Sequence, residues 1–233
     1  MIYSLGTHGV LAVQVALTWA SFSPLLPLLT GPRRSSHDDV APSTLLLRLA
    51  WSIVPVVVTS IVASTMRLQL AVTAAKGNTR PGMIARAVAR GVAGLVVGSL
   101  TVHTLAVILS APILRKLPET WTFSVLIAAL TFVPVWVSNK QPLQAFSAFV
   151  RGTRPVMYDA GSMVPAVGCA IGAWLGAIPL CLDWEQPWQA WPLPMTVGGL
   201  LGFSLGALFL LATSTAAHVR RRLLPAEWPA KHS

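Results

Sequence analysis

Residues 172–194 read Gly-Ala-Trp-Leu-Gly-Ala-Ile-Pro-Leu-Cys-Leu-Asp-Trp-Glu-Gln-Pro-Trp-Gln-Ala-Trp-Pro-Leu-Pro. The first part is apolar and continues a helix, whereas Asp183 and Glu185 would each cost about 2.5–3.5 kcal/mol at a bilayer centre. Prolines disfavour helix in the residues before them, and tryptophan favours the boundary between membrane and water. The stretch has three of each after residue 182: Pro187, Pro192, Pro194, Trp184, Trp188 and Trp191. It is therefore predicted to be a short, stiff loop at a membrane surface, between two membrane helices. On composition alone, an ordinary interfacial hairpin is the favoured interpretation, with a recognition loop as the alternative.

The composition of the whole chain is that of a membrane protein. Of its 233 residues, 54% are apolar and only 10% are charged, with a mean hydropathy of +0.67. A soluble domain has about 25% charged residues. The net charge of +10 does not indicate a nucleic-acid partner, because the basic residues lie in short loops where they meet lipid headgroups. We predict an all-α, polytopic fold and a single integral-membrane domain over residues 1–233.

Six apolar runs predict six transmembrane helices. Their approximate ranges are 10–29, 45–66, 91–114, 121–137, 162–182 and 195–217. An even number of spans places both termini on one side of the membrane. Most of the 17 Lys and Arg residues lie in the loops and the tail on that side, which predicts cytosolic termini and a luminal 183–194 loop.

Glycines recur every four residues in the fifth and sixth predicted spans. The two sets are Gly168, Gly172 and Gly176, and Gly198, Gly202 and Gly206. This spacing places each set on one stripe of its helix, where another backbone can approach closely. Two interpretations remain open at this point. The two stripes pack on each other, or one of them receives a helix from another protein.

The sequence has little that indicates catalysis. His103 is the only histidine inside a predicted span, and it is either a functional group or a hydrogen-bonded structural residue. No metal-ligand spacing, nucleotide-binding loop or nucleophile elbow is present. Asp183 and Glu185 could act as a carboxylate pair, but two acids without a third ligand are weak evidence. We therefore expect no catalytic residue, no metal site and no cofactor.

The stretch also resembles a known family. Residues 172–179 and 182–192, quoted above, closely resemble the signature of the PIG-F family of endoplasmic-reticulum membrane proteins in GPI-anchor biosynthesis. Glu119-Thr120 at the start of the fourth span follows a similar order in the family. Two departures are visible, since Cys181 replaces a common proline and Gln186 replaces a common arginine.

The resemblance implies a function that composition alone does not. PIG-F proteins are stabilising subunits of the enzymes that transfer ethanolamine phosphate from phosphatidylethanolamine to GPI mannoses. It implies a non-catalytic subunit in the endoplasmic-reticulum membrane, with PIG-O-like or PIG-G-like catalytic subunits and membrane lipid as partners. The alternative is a small multi-pass lipid transferase, or a phosphatidylethanolamine-handling protein acting by itself through His103 and the acidic loop. A small transporter receives little support, because no inverted repeat is evident.

The candidate partner- or lipid-binding residues follow from the signature and the intramembrane histidine. We expect the three tryptophans of the loop to anchor it at the interface, and its two acids to fix the loop or pair with a partner. The full set is Gly172, Trp174, Gly176, Pro179, Asp183, Trp184, Glu185, Pro187, Trp188, Gln189, Trp191, Pro192 and His103.

Overall fold

The computed structural model describes residues 2–23, 42–76, 82–109, 116–139, 141–151, 160–182 and 186–223. These residues form seven α-helices and two short 3-10 helices. The α-helices are α1 (Ile2–Ser21), α2 (Pro42–Lys76), α3 (Met83–Ile108), α4 (Leu117–Ser138), α5 (Pro142–Val150), α6 (Ala160–Leu175) and α7 (Leu193–Leu223). The 3-10 helices, Ile178–Cys181 and Pro187–Gln189, lie between α6 and α7.

The predicted all-α, multi-pass architecture is confirmed. Within the described residues, five segments are long and apolar enough to cross a membrane: Trp51–Thr73, Met83–Ile108, Leu117–Ser138, Gly161–Cys181 and Leu193–Ala216. They correspond to the second through sixth predicted spans. The first helix starts earlier than predicted, because α1 covers Ile2–Ser21 whereas the predicted span began at residue 10, and α1 is not among these five segments. Residues 24–29 of the predicted span lie outside the described residues. Apolar content alone could not place the start of α1.

Helix α4 lies at the centre of the bundle. It packs against α2, α3 and α6, and it also touches α7. Residues 126–131 are all buried, and because this run is longer than one helical turn, every face of α4 is covered. Glycines of α3 allow this helix to approach one side of α4 closely. A Cβ at Gly98 would lie 2.6 Å from the ring of Phe132, and one at Gly94 would lie 2.8 Å from the Cβ of Trp136.

Contacts along the helices fix their relative directions. Gly94 and Gly98 of α3 meet Trp136 and Phe132 of α4 in reverse order, so these two helices are antiparallel. Helices α4 and α7 run in the same direction. Residue 120 of α4 is bonded to Trp191 just before α7, and Ile127 packs against Gly199. The connection between α6 and α7 therefore lies at the N-terminal end of α4.

Hydroxyl groups in the helices are satisfied mostly within their own helix. Ser99, Ser124 and Thr131 each donate to the carbonyl four residues earlier, which is how polar side chains are tolerated in an apolar environment. Other side-chain bonds join two helices. Ser60 of α2 donates to the carbonyl of Ala129 in α4, and the indole Nε1 of Trp19 in α1 donates to Ser204 Oγ of α7 at 2.9 Å.

Candidate functional site

The two glycine stripes face each other in the contact between α6 and α7. A Cβ at Gly172 would lie less than 3.0 Å from the carbonyl oxygen of Gly198 and from the Cα of Gly202. The same holds for Gly168 against the carbonyl oxygen of Gly202. Only hydrogen fits at these positions, so the interpretation in which the stripes pack on each other is confirmed. The contact continues to Gly176, which lies against the backbone of Pro194 and Met195.

The opposite face of α6 near its C-terminus is exposed. The side chain of Trp174 is 65% exposed, while Ala173 next to it is buried in the core. Leu175 and Ile178 are exposed as well. The stretch therefore has an inner face, built on small residues that contact α7, and an outer apolar face that no described residue covers.

Gln189 holds the connection between α6 and α7 together. Its Nε2 donates to the carbonyl oxygens of Pro179 and Leu182, both at 2.7 Å. Its Oε1 accepts a bond from the backbone N–H of Gln186 at 2.9 Å. One amide side chain thus links the first 3-10 helix to the second. A carboxylate could accept at most one of these three bonds, because the other two require a donor.

Trp191 attaches the same connection to α4. Its Nε1 donates to Thr120 Oγ1 at 3.0 Å, and its ring packs against Phe123 with centroids 5.9 Å apart. The next residue, Pro192, is buried, and its carbonyl accepts bonds from the backbone N–H and the hydroxyl of Thr196 in α7. Trp191, which was predicted to anchor the loop at the membrane surface, therefore joins the connection between α6 and α7 to α4.

The remaining predicted site residues are placed as follows. Pro187 begins the second 3-10 helix, in which Trp188 is half-buried. The acids Asp183 and Glu185, together with Trp184, lie outside the described residues, so their predicted roles stay predictions.

His103 lies on α3, beside α4. Its ring meets Trp121 in a T-shaped contact with centroids 5.2 Å apart. The Nδ1 atom is buried and has no hydrogen-bond partner. The structure therefore gives His103 an aromatic neighbour, and it shows no hydrogen bond at Nδ1 of the kind expected for a structural histidine.

Comparison with known proteins decides the family. The family model described as "GPI biosynthesis protein family Pig-F" matches residues 38–211, which is most of the chain and includes the signature stretch. The chain belongs to the PIG-F family. No solved structure matches it significantly.

Several curated proteins resemble this PIG-F chain. "Glycosylphosphatidylinositol anchor biosynthesis protein 11" of Pyricularia oryzae is 33% identical over 106 residues, which is 46% of this chain and 39% of the relative. The human "GPI ethanolamine phosphate transferase, stabilizing subunit" is 33% identical over 105 residues, or 45% of this chain and 48% of the relative. The "PIGF/3-ketodihydrosphingosine reductase fusion protein" of Schizosaccharomyces pombe is 31% identical over 130 residues, or 55% and 26%. The chain thus spans less than half the length of these relatives.

Sequence reasoning missed a buried acid in this PIG-F chain. Glu119, in the first turn of α4, is only 6% exposed, and its Oε2 is buried with no hydrogen-bond partner. Glu119 is part of the resemblance to the PIG-F family, but it is not among the predicted site residues. The available signal was an acid at the start of an apolar span. In the part of the chain that the structure describes, no three His, Cys, Asp or Glu side chains come together as metal ligands.

Proposed function

We propose that this PIG-F protein is a stabilising subunit of a GPI ethanolamine phosphate transferase and does not itself carry out the transfer. The human and mouse relatives bear the name of that subunit, and the matched family is one of GPI biosynthesis. The pathway implies a multi-pass protein of the endoplasmic-reticulum membrane. The partners in this proposal are PIG-O-like or PIG-G-like catalytic subunits, with both termini cytosolic and the 183–194 loop luminal.

The observation that carries the proposal is the division of the signature stretch into two faces. Gly172, Gly176, Gln189 and Trp191 are used inside the molecule, for helix packing and for holding the connection. Trp174 belongs to the same short stretch, yet its side chain projects outward. Packing within the chain therefore does not account for a tryptophan at this position.

A rigid outward tryptophan suits a contact with a partner helix. Its large ring loses little conformational entropy on binding, and tryptophan is enriched among the residues that dominate interface energies. Leu175 and Ile178 extend the same apolar surface, which we name the α6 outer face. We propose that a membrane helix of the catalytic subunit packs on the α6 outer face, while the glycine contact keeps that face in a fixed orientation.

The test compares two equally exposed residues on neighbouring helices. The variants Trp174→Ala and Leu205→Ala each truncate a side chain that is 65% exposed, on α6 and α7 respectively. Each tagged variant is purified from its native membrane in mild detergent, and co-purifying proteins are quantified by mass spectrometry. We expect a PIG-O-like or PIG-G-like catalytic subunit to co-purify with wild type and with Leu205→Ala, and about tenfold less of it with Trp174→Ala.

Thermal unfolding of each purified variant serves as the control for folding. Because Trp174 is exposed, its truncation should leave the melting temperature close to that of wild type. Equal recovery of the catalytic subunit with Trp174→Ala and Leu205→Ala would exclude the α6 outer face as the docking surface. Failure to recover any such subunit with wild type, under conditions that preserve related complexes, would refute the subunit assignment itself.

A further inference from the structure

Glu119 is a buried acid that the packing of the bundle does not explain. It lies on the same face of α4 as Phe123, Leu126 and Leu130, which form part of the apolar core. The helix thus presents three apolar side chains and then, at its end, a carboxyl group on the same buried face. The Oε2 atom has no donor within reach, although the neighbouring Thr120 and Phe123 are both engaged by Trp191.

A buried carboxylate that is ionised is stabilised by a positive charge beside it. Buried ionised groups are paired or bound to metal in stable proteins, because removing them from water is otherwise very unfavourable. Among the described residues, Glu119 has no neighbouring acids that would complete a metal site. Calcium and magnesium take about six or more oxygen ligands, whereas the described residues supply no cluster of acids around Glu119. An organic ammonium needs fewer acceptors and brings apolar carbon atoms with it.

The position in the fold indicates where such an ammonium comes from. Glu119 is in the first turn of the membrane-crossing segment Leu117–Ser138, so it lies near the level of the lipid headgroups. Trp121, which is 43% exposed, is two residues away in the chain, and Trp191 donates a hydrogen bond to the adjacent Thr120. Tryptophan is typical of that level. A lipid amine at this level meets the end of α4 that carries Glu119, and it reaches the buried Oε2 atom when the side chains that cover this atom shift.

We propose that Glu119 binds the primary ammonium group of an aminophospholipid headgroup. An ammonium with N–H groups donates to the free Oε2 atom, whereas the trimethylated ammonium of a choline headgroup has no N–H to donate. The phosphate of the same headgroup stays at the membrane surface. Two lipid classes share this chemistry, the ethanolamine and the serine phospholipids. The proposal does not depend on the subunit assignment, because the site is formed by this chain alone.

The experiment measures which lipids the purified full chain retains. Nanodiscs contain equal amounts of dioleoyl phosphatidylethanolamine, phosphatidylserine, phosphatidylcholine and phosphatidylglycerol. Native mass spectrometry of the released protein counts each bound lipid. We expect phosphatidylethanolamine, phosphatidylserine or both to be enriched about tenfold over phosphatidylcholine, which is within reach of one charge-assisted hydrogen bond. Comparing the two amine lipids identifies the class that binds.

Two variants assign the enrichment to the carboxylate. Glu119→Gln keeps the shape but removes the charge, and it should reduce the amine-lipid preference to the level of phosphatidylcholine. Thr122→Val changes an exposed hydroxyl in the same part of α4, and it should keep the preference of wild type. Melting temperatures in phosphatidylcholine nanodiscs show whether each variant is folded. A variant that melts at the wild-type temperature in phosphatidylcholine but has no amine-lipid preference has lost lipid binding and not its fold.

Three results would overturn the proposal. The first is a wild-type chain that retains amine lipids and phosphatidylcholine equally. The second is a folded Glu119→Gln variant with an undiminished amine preference. The third is a Glu119→Gln variant that loses its protein partner while wild type shows no lipid preference, which would assign Glu119 to a basic side chain of that partner.

Discussion

The substitution Gly172→Ala tests the contact between α6 and α7 with a single carbon atom. The added Cβ would lie less than 3.0 Å from the carbonyl oxygen of Gly198 and the Cα of Gly202. Both are backbone atoms, so no side chain can rotate to make room. The helices must separate, and a gap of about 0.5–1 Å already removes a quarter to a half of the dispersion energy between the atoms involved.

The magnitude follows from two opposing effects. Overpacking typically destabilises a protein by about 1–3 kcal/mol, whereas alanine favours a helix over glycine by about 0.5–1 kcal/mol. The net loss is therefore about 1–2 kcal/mol, which for a chain of this size lowers the melting temperature by about 5 °C. Gly9 provides the control, because a Cβ at this position in α1 meets no atom within 4 Å. Gly9→Ala should keep or slightly raise the melting temperature.

The assay is thermal unfolding of the purified chain, followed by intrinsic tryptophan fluorescence at one detergent concentration. The informative quantity is the difference between Gly172→Ala and Gly9→Ala, since both add one methyl group to a helix. Equal melting temperatures for the two variants would show that α6 and α7 are not held together by this contact. Close approach of the two backbones would then not explain why the other positions of the stripe are glycine.

Three further predictions concern the hydrogen bonds that join the elements. Gln189→Glu keeps one acceptor and loses the donors to two carbonyls, so amide hydrogen exchange in the 178–189 connection should accelerate while the helices keep their protection. Trp191→Phe and Thr120→Val should each lower the free energy of unfolding by about 1 kcal/mol, and the double variant should lose less than the sum, as measured by denaturant titration. Ser60→Ala removes the donor to a buried carbonyl of α4 and should destabilise the chain by about 1–3 kcal/mol in the same titration, whereas no change would mean that another donor replaces it.

Much of the fold was predictable because its signals are local and periodic. Apolar runs separated by prolines and charges place the fourth, fifth and sixth spans within a few residues, and a spacing of four marks the glycine contact between Gly172 and Gly198. The second and third spans were predicted too short, because α2 continues past residue 66 to Lys76 and α3 begins at Met83 rather than at residue 91. The start of α1 was not predictable, because Ile2 and the residues after it carry no sharp boundary signal. The sequence also could not show whether the glycines contact a helix of the same chain or a helix of another protein, since both contacts require the same small residues.

The candidate site was predictable as a stretch but not residue by residue. Asp183 and Glu185 were predicted to fix the loop because charged residues are rare in an apolar chain. Among the described residues, the neutral amide of Gln189 holds the connection between α6 and α7. An amide can donate and accept at once, and which partners it reaches depends on the folded backbone. Glu119 was missed for the opposite reason. An acid at the start of a helix is ordinary in sequence, and only its burial makes it unusual.

The hairpin of α6 and α7 has a consequence for how the chain is assembled during synthesis. Its two helices are neighbours in sequence, so they can pair as soon as both have entered the membrane. Helix α4 is made earlier, but Trp191 reaches Thr120 only after the connection preceding α7 has been synthesised. Until then the N-terminal end of α4 lacks the contacts that Trp191 makes with Thr120 and Phe123. Arrival of the hairpin is therefore the step that closes the bundle, and a chain stalled before residue 191 would present an unfinished surface to the quality-control machinery of the membrane.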